Sequence, residues 1–166
     1  MDDLQASSQS QFLKFQLAGQ NHAFDVLKVH EVLSLVKITP LPNALSFLSG
    51  IINLRGNVIP VVDLRKKFGM AEAQTTVESS IIIVDFIHEG EATMIGALVD
   101  SVKGVLRCEK KDLEAPPRFG MQLNANLVEA IAKKDGEFVV VLDTEKIFSD
   151  KELWLIREEA AEVAVG

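Results

Sequence analysis

Several features that would place this 166-residue chain in a familiar functional class are scarce or missing. It has one cysteine, Cys108, so an internal disulfide is excluded, as suits a reducing compartment. No apolar run approaches the roughly 18 residues of a membrane helix, and the acidic, polar N-terminal segment lacks the basic and then apolar pattern of a secretory signal. The 24 acidic and 17 basic residues give a net charge of −7, whereas nucleic-acid binding needs clustered positive charge. We therefore expect a cytoplasmic globular protein with no nucleic-acid ligand and no segment inserted in a membrane.

Groups that could carry catalysis or bind a metal are also scattered. His22, His30 and His88 have no ligand spacing and are interpreted as surface or turn residues, and Cys108 as a small buried hydrophobe. Aspartates at the ends of apolar runs are interpreted as caps of turns and helices: Asp63, Asp85, Asp100 and Asp143. No glycine-rich loop precedes a lysine in the manner of a phosphate site. We expect no catalytic residue, no metal and no cofactor.

Short strand patterns dominate what is present. The expected strands span 12–17, 51–64, 80–87, 93–108 and 127–142, with turns at Gly19, Gly56-Asn57, 88–91 and Asp135-Gly136. Gly96 and Gly104 are expected to bend the long fourth strand. Pro60 cannot donate a ladder hydrogen bond, so its strand is expected at a sheet edge or a bulge.

Helix signals are fewer. A short helix is predicted at Leu64–Phe68, closed by Gly69, and another after Asp143. Ser149 followed by Glu152 is a capping-box pattern that predicts a C-terminal helix. We interpret this helix as a packed lid, with a partner-binding helix as the alternative.

An internal repeat indicates the architecture. Shifting the chain by 80 residues places 56–63 on 136–143, and a shift of 73 places 26–33 on 99–106. Each half then has the same order of strands, a proline loop, a hairpin and a short helix, and a half of about 70 residues suits a small closed β-barrel. We expect a mainly β protein that forms one domain over 1–166. Its approximate subdomains are 12–70 and 79–148, with strand exchange between them possible, followed by a helix and tail over 149–166.

Two places on the predicted surface could recognise a partner. Alternation along 51–55 puts Asn53 and Arg55 on the face opposite Ile52, where Arg55 could pair with a partner carboxylate or be merely solvated. Phe119, in a loop that begins with two prolines, is either a core anchor or an exposed anchor for a partner. The basic run 65–67 is interpreted as a solvated helix face.

The motif GIINLRGNVIPVVDLR at 50–65 resembles the signature of the CheW-type coupling domain. FDVLKVHEV at 24–32, VDSV at 99–102 and DGEFVVVLD at 135–143 are similar to other segments of that family, so that the resemblance covers nearly the whole chain. Ala130 and Gly104 depart from the family's usual glycine and acidic residue. The resemblance implies two SH3-like five-stranded β-barrels.

The resemblance also implies a non-enzymatic scaffold in bacterial chemotaxis signal transduction. Its partners would be the cytoplasmic tips of methyl-accepting chemoreceptors and the regulatory domain of a CheA-type histidine kinase, within membrane-anchored receptor arrays. The receptor-contacting residues would be Val29, Glu31, Asn53 and Arg55, and the kinase-contacting residues Arg118 and Phe119. A coupling protein of a parallel system, one that controls pili or surface attachment, stays open as the alternative.

Overall fold

The computed structural model describes residues 9–42, 45–117 and 124–165. The strands in this part of the chain are β1 (Ser10–Leu17), β2 (Gln20–Asp25), β3 (Val29–Ser34), β4 (Leu48–Leu54), β5 (Asn57–Asp63), β6 (Ser80–His88), β7 (Glu91–Val99), β8 (Ser101–Cys108), β9 (Leu113–Glu114), β10 (Val128–Lys134) and β11 (Glu137–Leu142). The α-helices are α1 (Leu64–Lys67) and α2 (Asp150–Val165). Single 3₁₀ turns occur at Val26–Lys28, Lys110–Asp112 and Ala125–Leu127.

The strands form two sheets. Sheet I has the order β8-β1-β2-β11-β10-β9, and sheet II has the order β3-β6-β7-β5-β4. All neighbouring pairs are antiparallel except β11 with β2 and β5 with β7. This mainly β arrangement confirms the predicted fold class, and two such sheets are consistent with two SH3-like barrels.

Four hairpins share one turn chemistry. Each turn is a residue followed by glycine, and both have positive φ: Ala18-Gly19, Arg55-Gly56, Glu89-Gly90 and Asp135-Gly136. This backbone matches the twist of the flanking strands and favours glycine at the second position. The turn between β4 and β5 is therefore Arg55-Gly56, one residue earlier than the predicted Gly56-Asn57.

Three other predictions are corrected. The segment 93–108 is two strands, because the chain bends at Asp100 and passes from sheet II to sheet I. Pro60 lies on β5, which is an interior strand, but β5 pairs with β7 only over Val61–Asp63, so the missing donor precedes that ladder. After Asp143 the chain makes a turn and no helix, and the Asp143 side chain accepts a hydrogen bond from Glu145 N–H at 3.0 Å.

The predicted repeat is visible in the pairing. The ladders β4–β5 and β10–β11 both have a bulge, after Leu48 and after Val128, which are 80 residues apart. The parallel pairs Val61 with Gly96 and Val141 with Ala23 are related by the two offsets found in the sequence. Sheet I combines β1 and β2 with β8–β11, and sheet II combines β6 and β7 with β3–β5, so that the halves exchange their first hairpins. The subdomain limits 12–70 and 79–148 stay a prediction.

Three apolar clusters hold this arrangement together. The largest contains buried side chains from both sheets, among them Phe15, Phe24 and Val84, together with Leu153 and Ile156 of α2. A smaller cluster belongs to each sheet, around Val141 in sheet I and around Val61 in sheet II. The predicted capping box starts α2: Ser149 N–H donates to Glu152 at 2.8 Å and Glu152 N–H to Ser149 Oγ at 3.1 Å. Because its residues Leu153 and Ile156 lie in the largest cluster, helix α2 packs as a lid on the shared core.

Candidate functional site

An ion pair brings together the two edges of sheet II. Arg55 Nη2 lies 2.5 Å and Nη1 3.2 Å from the two carboxylate oxygens of Glu31. Glu31 belongs to β3 and Arg55 to the turn after β4, and these strands stand at opposite ends of the sheet order. The sheet must therefore curl until its edges meet, as closure of a barrel requires. The pair lowers the pKa of Glu31 through the hydrogen bonds that Arg55 donates and raises the pKa of Arg55.

The turn itself is fixed by Asn53. Its Oδ1 accepts a hydrogen bond from Gly56 N–H at 2.9 Å, and both Asn53 and Arg55 are exposed while Ile52 is buried. The predicted outward direction of the two side chains is confirmed. Arg55, however, is the first turn residue with φ of 50°, and does not continue the strand. Asn53 therefore stabilises the turn in which Arg55 lies.

The two ends of strand β3 pack against different apolar clusters. Val29 is half-buried against the core shared by both sheets, whereas Leu33 packs in the cluster of sheet II. A bulge between Val29 and Glu31 produces this change of face. Val32 follows Glu31 in β3 and is 41% exposed. Its alternation with Glu31 and Leu33 puts it on the opposite face of the strand, and this is the sequence signal for its exposure.

The apolar character of this edge continues on both sides of β3. Leu27, in the turn before β3, is 88% exposed, and Leu35 and Val36 follow the strand with about as much exposure as Val32. Exposed apolar side chains along the same sheet edge as a charged pair are a common composition of protein-binding surfaces. We call Leu27, Val32, Val36 and the Glu31–Arg55 pair the β3 surface.

The predicted kinase-contacting residues cannot be placed in the same way. Arg118 and Phe119 lie outside the described residues, so that their role stays a prediction. The described part of their loop leaves β9 at the edge of sheet I, with Pro116 half-buried and Pro117 exposed. At the start of this loop Glu114 forms an ion pair with Lys133 at 2.7 Å.

A second ion pair lies where the chain passes between the sheets. Asp100 accepts hydrogen bonds from Arg65 Nε at 2.8 Å and Nη2 at 2.6 Å, and from the N–H of Ala18 at 2.8 Å. Burial raises the pKa of Asp100, but these hydrogen bonds outweigh burial and leave the pKa below its ordinary value. Arg65 was interpreted as part of a solvated face; its side chain is instead only 18% exposed and also donates to Ala71 O.

The remaining polar candidates have structural roles. His22 is fully buried and stacked on Phe15, which corrects its assignment to the surface, and burial lowers its pKa. Asp63 caps α1 through Lys66 N–H, as predicted, whereas Asp85 lies 3.4 Å from the exposed His30. Cys108 is buried, as predicted.

The described part of the chain has neither a cluster of metal ligands nor a membrane-spanning helix. No group of three or more potential metal ligands occurs in 9–42, 45–117 and 124–165. Within the same ranges no helix is long and apolar enough to cross a membrane.

Comparison with known proteins gives a consistent result. The family model of the CheW-like domain matches residues 11–152. The chain is 34% identical to the chemotaxis protein CheW of Thermotoga maritima over 148 residues, which cover 87% of this chain and 91% of that protein. It is 28% identical to the chemotaxis protein CheW of Treponema pallidum over 145 residues, which cover 87% and 85% of the two chains.

A solved structure agrees with these matches. The crystal structure of the scaffolding protein TtCheW from Thermoanaerobacter tengcongensis superposes with a TM-score of 0.75 at 35% identity, covering 84% of this chain and 92% of that one. The matches support the prediction of a coupling adaptor in chemotaxis signalling. Because the family model spans most of the sequence and both sheets, the chain belongs to the CheW-like domain family.

Proposed function

We propose that this chain is a non-enzymatic adaptor that holds chemoreceptor tips and a CheA-type histidine kinase together at receptor arrays in the cytoplasm. The observation that carries the proposal is the match of the CheW-like domain over residues 11–152, which includes strands of both sheets. An adaptor works by position: two proteins bound to one rigid body meet at a raised effective concentration. The shared apolar core between the sheets supplies that rigid body.

The β3 surface is the proposed receptor site. Its exposed apolar residues can supply contact area, and its ion pair can supply specificity. Arg55 uses Nη1 and Nη2 toward Glu31, yet a guanidinium has five N–H donors, so that hydrogen atoms remain for a partner carboxylate. A partner with acidic residues beside an apolar stripe would fit this surface.

The kinase is proposed to bind on the side of sheet I. The proline loop leaves β9 at the end of that sheet, and Arg118 and Phe119 follow it in the sequence. The two proposed sites then belong to different sheets, and an adaptor that binds both partners at once needs separate surfaces.

The test measures binding of a receptor cytoplasmic tip and of the kinase regulatory domain separately, by calorimetry. Arg55→Asn removes the charge but keeps a residue that tolerates positive φ, so the turn should survive. The matched control is Asp135→Asn at the equivalent turn of sheet I, where φ is 52°. We expect Arg55→Asn to weaken receptor binding by about tenfold and Asp135→Asn to change it little.

The outcomes separate the site from the function. Unchanged receptor binding by Arg55→Asn would remove Arg55 from the proposed site while leaving the adaptor proposal intact. Failure of the wild-type chain to bind either partner would refute the adaptor proposal itself.

A further inference from the structure

Asp100 lies where the chain passes from one sheet to the other. It is the residue between β7, which belongs to sheet II, and β8, which belongs to sheet I. Its own N–H donates to Gln16 O of β1 at 3.1 Å. The backbone at this point is therefore tied to the exchanged β1–β2 hairpin before the chain enters sheet I.

The carboxylate of Asp100 contacts the β1–β2 turn and Arg65, and Arg65 extends the link to a third segment. One oxygen accepts from Ala18 N–H in the β1–β2 turn of sheet I and from Arg65 Nη2, and the other accepts from Arg65 Nε. Arg65 belongs to α1, directly after β5 of sheet II, and it also donates to Ala71 O at 2.9 Å, where the connection to β6 begins. The cluster thus joins both sheets and the connection between the two halves of the chain.

This link differs in kind from the core. The close-packed core shared by both sheets restricts their relative motion, and a directional polar link adds a restraint that apolar packing alone does not supply. The bidentate Arg65–Asp100 pair, with side chains 18% and 32% exposed, is such a directional restraint at the point where the chain crosses between the sheets. The exposed pair Lys66–Glu72, next to it on the same helix, has a longer distance of 3.7 Å and offers no comparable restraint.

We propose that Asp100 and Arg65 are positioning residues that set the angle between sheet I and sheet II and are thereby required for coupling, although they contact neither partner. The proposal rests on the proposed adaptor function, because the angle matters only if the two sheets carry different partners. Loss of the link leaves each partner surface complete. It changes the relative placement of receptor and kinase.

The first experiment needs no partner. Residual dipolar couplings of backbone amides are measured for the wild-type chain, for Asp100→Asn, for Arg65→Gln and for the control Lys66→Gln. Asp100→Asn keeps an oxygen for Ala18 N–H but loses the charge that orients Arg65. We expect the couplings of both sheets to fit the wild-type orientation in the control, and sheet I to be rotated or mobile relative to sheet II in the two test variants.

The second experiment measures coupling. Receptor, kinase and adaptor are reconstituted, and kinase autophosphorylation is compared with and without receptor. We expect the test variants to bind each partner alone within about twofold of wild type. Receptor-dependent activation should fall by about fivefold or more.

Each outcome decides one claim. Wild-type orientation in both test variants, or undiminished activation by them, would overturn the proposal. So would the collapse of both variants in circular dichroism, because the link would then hold the fold and not an angle. If the wild-type chain binds neither partner, the adaptor function fails, and the dipolar couplings still decide whether the link sets the angle.

Discussion

Substitution of Gly50 should damage this protein far more than substitution of its counterpart in the repeat. Gly50 sits at the bulge of β4 with φ of 152°, in a region that L-residues rarely adopt. A Cβ atom built on it would lie 2.1 Å from the carbonyl oxygen of Thr39, and that oxygen accepts the hydrogen bond of Ile51 N–H at 2.9 Å. Backbone atoms and not a flexible side chain therefore oppose the new methyl group.

The magnitude follows from two costs. An L-residue held at positive φ costs about 1–2 kcal/mol. Moving the Thr39 carbonyl sacrifices a backbone hydrogen bond, which contributes about 1 kcal/mol. Gly50→Ala should thus lower the free energy of unfolding by about 2–3 kcal/mol, and the melting temperature by roughly 4–12 °C. In the repeat the same position is Ala130, and Ala130→Gly should cost only about 0.5–1 kcal/mol.

The assay is urea denaturation followed by the fluorescence of Trp154, the single tryptophan. The free energy of unfolding falls linearly with urea concentration, and the slope should be the same for both variants and the wild type. A changed slope would indicate an altered unfolded state. A free energy of unfolding for Gly50→Ala within about 1 kcal/mol of wild type would refute the argument from close approach. So would an Ala130→Gly variant that is destabilised as much as Gly50→Ala.

Three further predictions concern single groups. The double variant Glu31→Arg with Arg55→Glu exchanges the charges of the β3 surface. It should keep the intramolecular ion pair and the wild-type melting temperature but lose receptor binding. Receptor binding equal to wild type would show that the pair acts only inside the chain. Cys108 is buried and its thiol has a raised pKa because of burial, so a disulfide reagent should react with it only as fast as the protein opens; prompt labelling of the native protein would contradict its placement. Burial lowers the pKa of His22, so below pH 6.5 the unfolded state binds the proton more readily than the folded state. The free energy of unfolding should therefore fall as pH falls, by at most about 1.4 kcal/mol per pH unit. His22→Phe should flatten this slope below about pH 6.5, and an unchanged slope would exclude His22 as its cause.

Local chemistry made much of the fold predictable from the sequence. Glycine at the second turn position marks hairpins because it accepts positive φ, and Asp135-Gly136 was placed correctly on this ground. Ser149 and Glu152 defined the start of α2 because their side chains satisfy free N–H groups of the first turn. The spacing of 80 residues survived as a shared bulge, since a repeat preserves ladder geometry as well as composition.

The pairing partner of each strand was not predictable in the same way. A period of two reports which residues share a face, but it does not report which strand lies alongside. The crossing at Asp100 was therefore missed within an apolar run, and the turn at Arg55 was placed one residue late. The burial of Arg65 depends on Asp100, 35 residues away, which its own segment does not indicate. His22 is stacked on Phe15, its partner in the β1–β2 hairpin, and a polar residue type alone does not show that this side of the hairpin is buried.

Under the proposed function, the differences between the two halves are expected to determine which partner each sheet binds. Both halves contain a strand that bulges as it changes core, and a hairpin turn with the same backbone. At the bulge and the turn, sheet II has Glu31 and Arg55, whereas the equivalent positions of sheet I are Gly104 and Asp135, which cannot form that pair. The backbone geometry that the two halves share explains how each sheet folds. Because it is the same in both halves, it cannot explain why two different partners would bind to different sheets. Side chains that differ at equivalent positions can, because they change the charge and shape of a surface without changing the backbone that carries it.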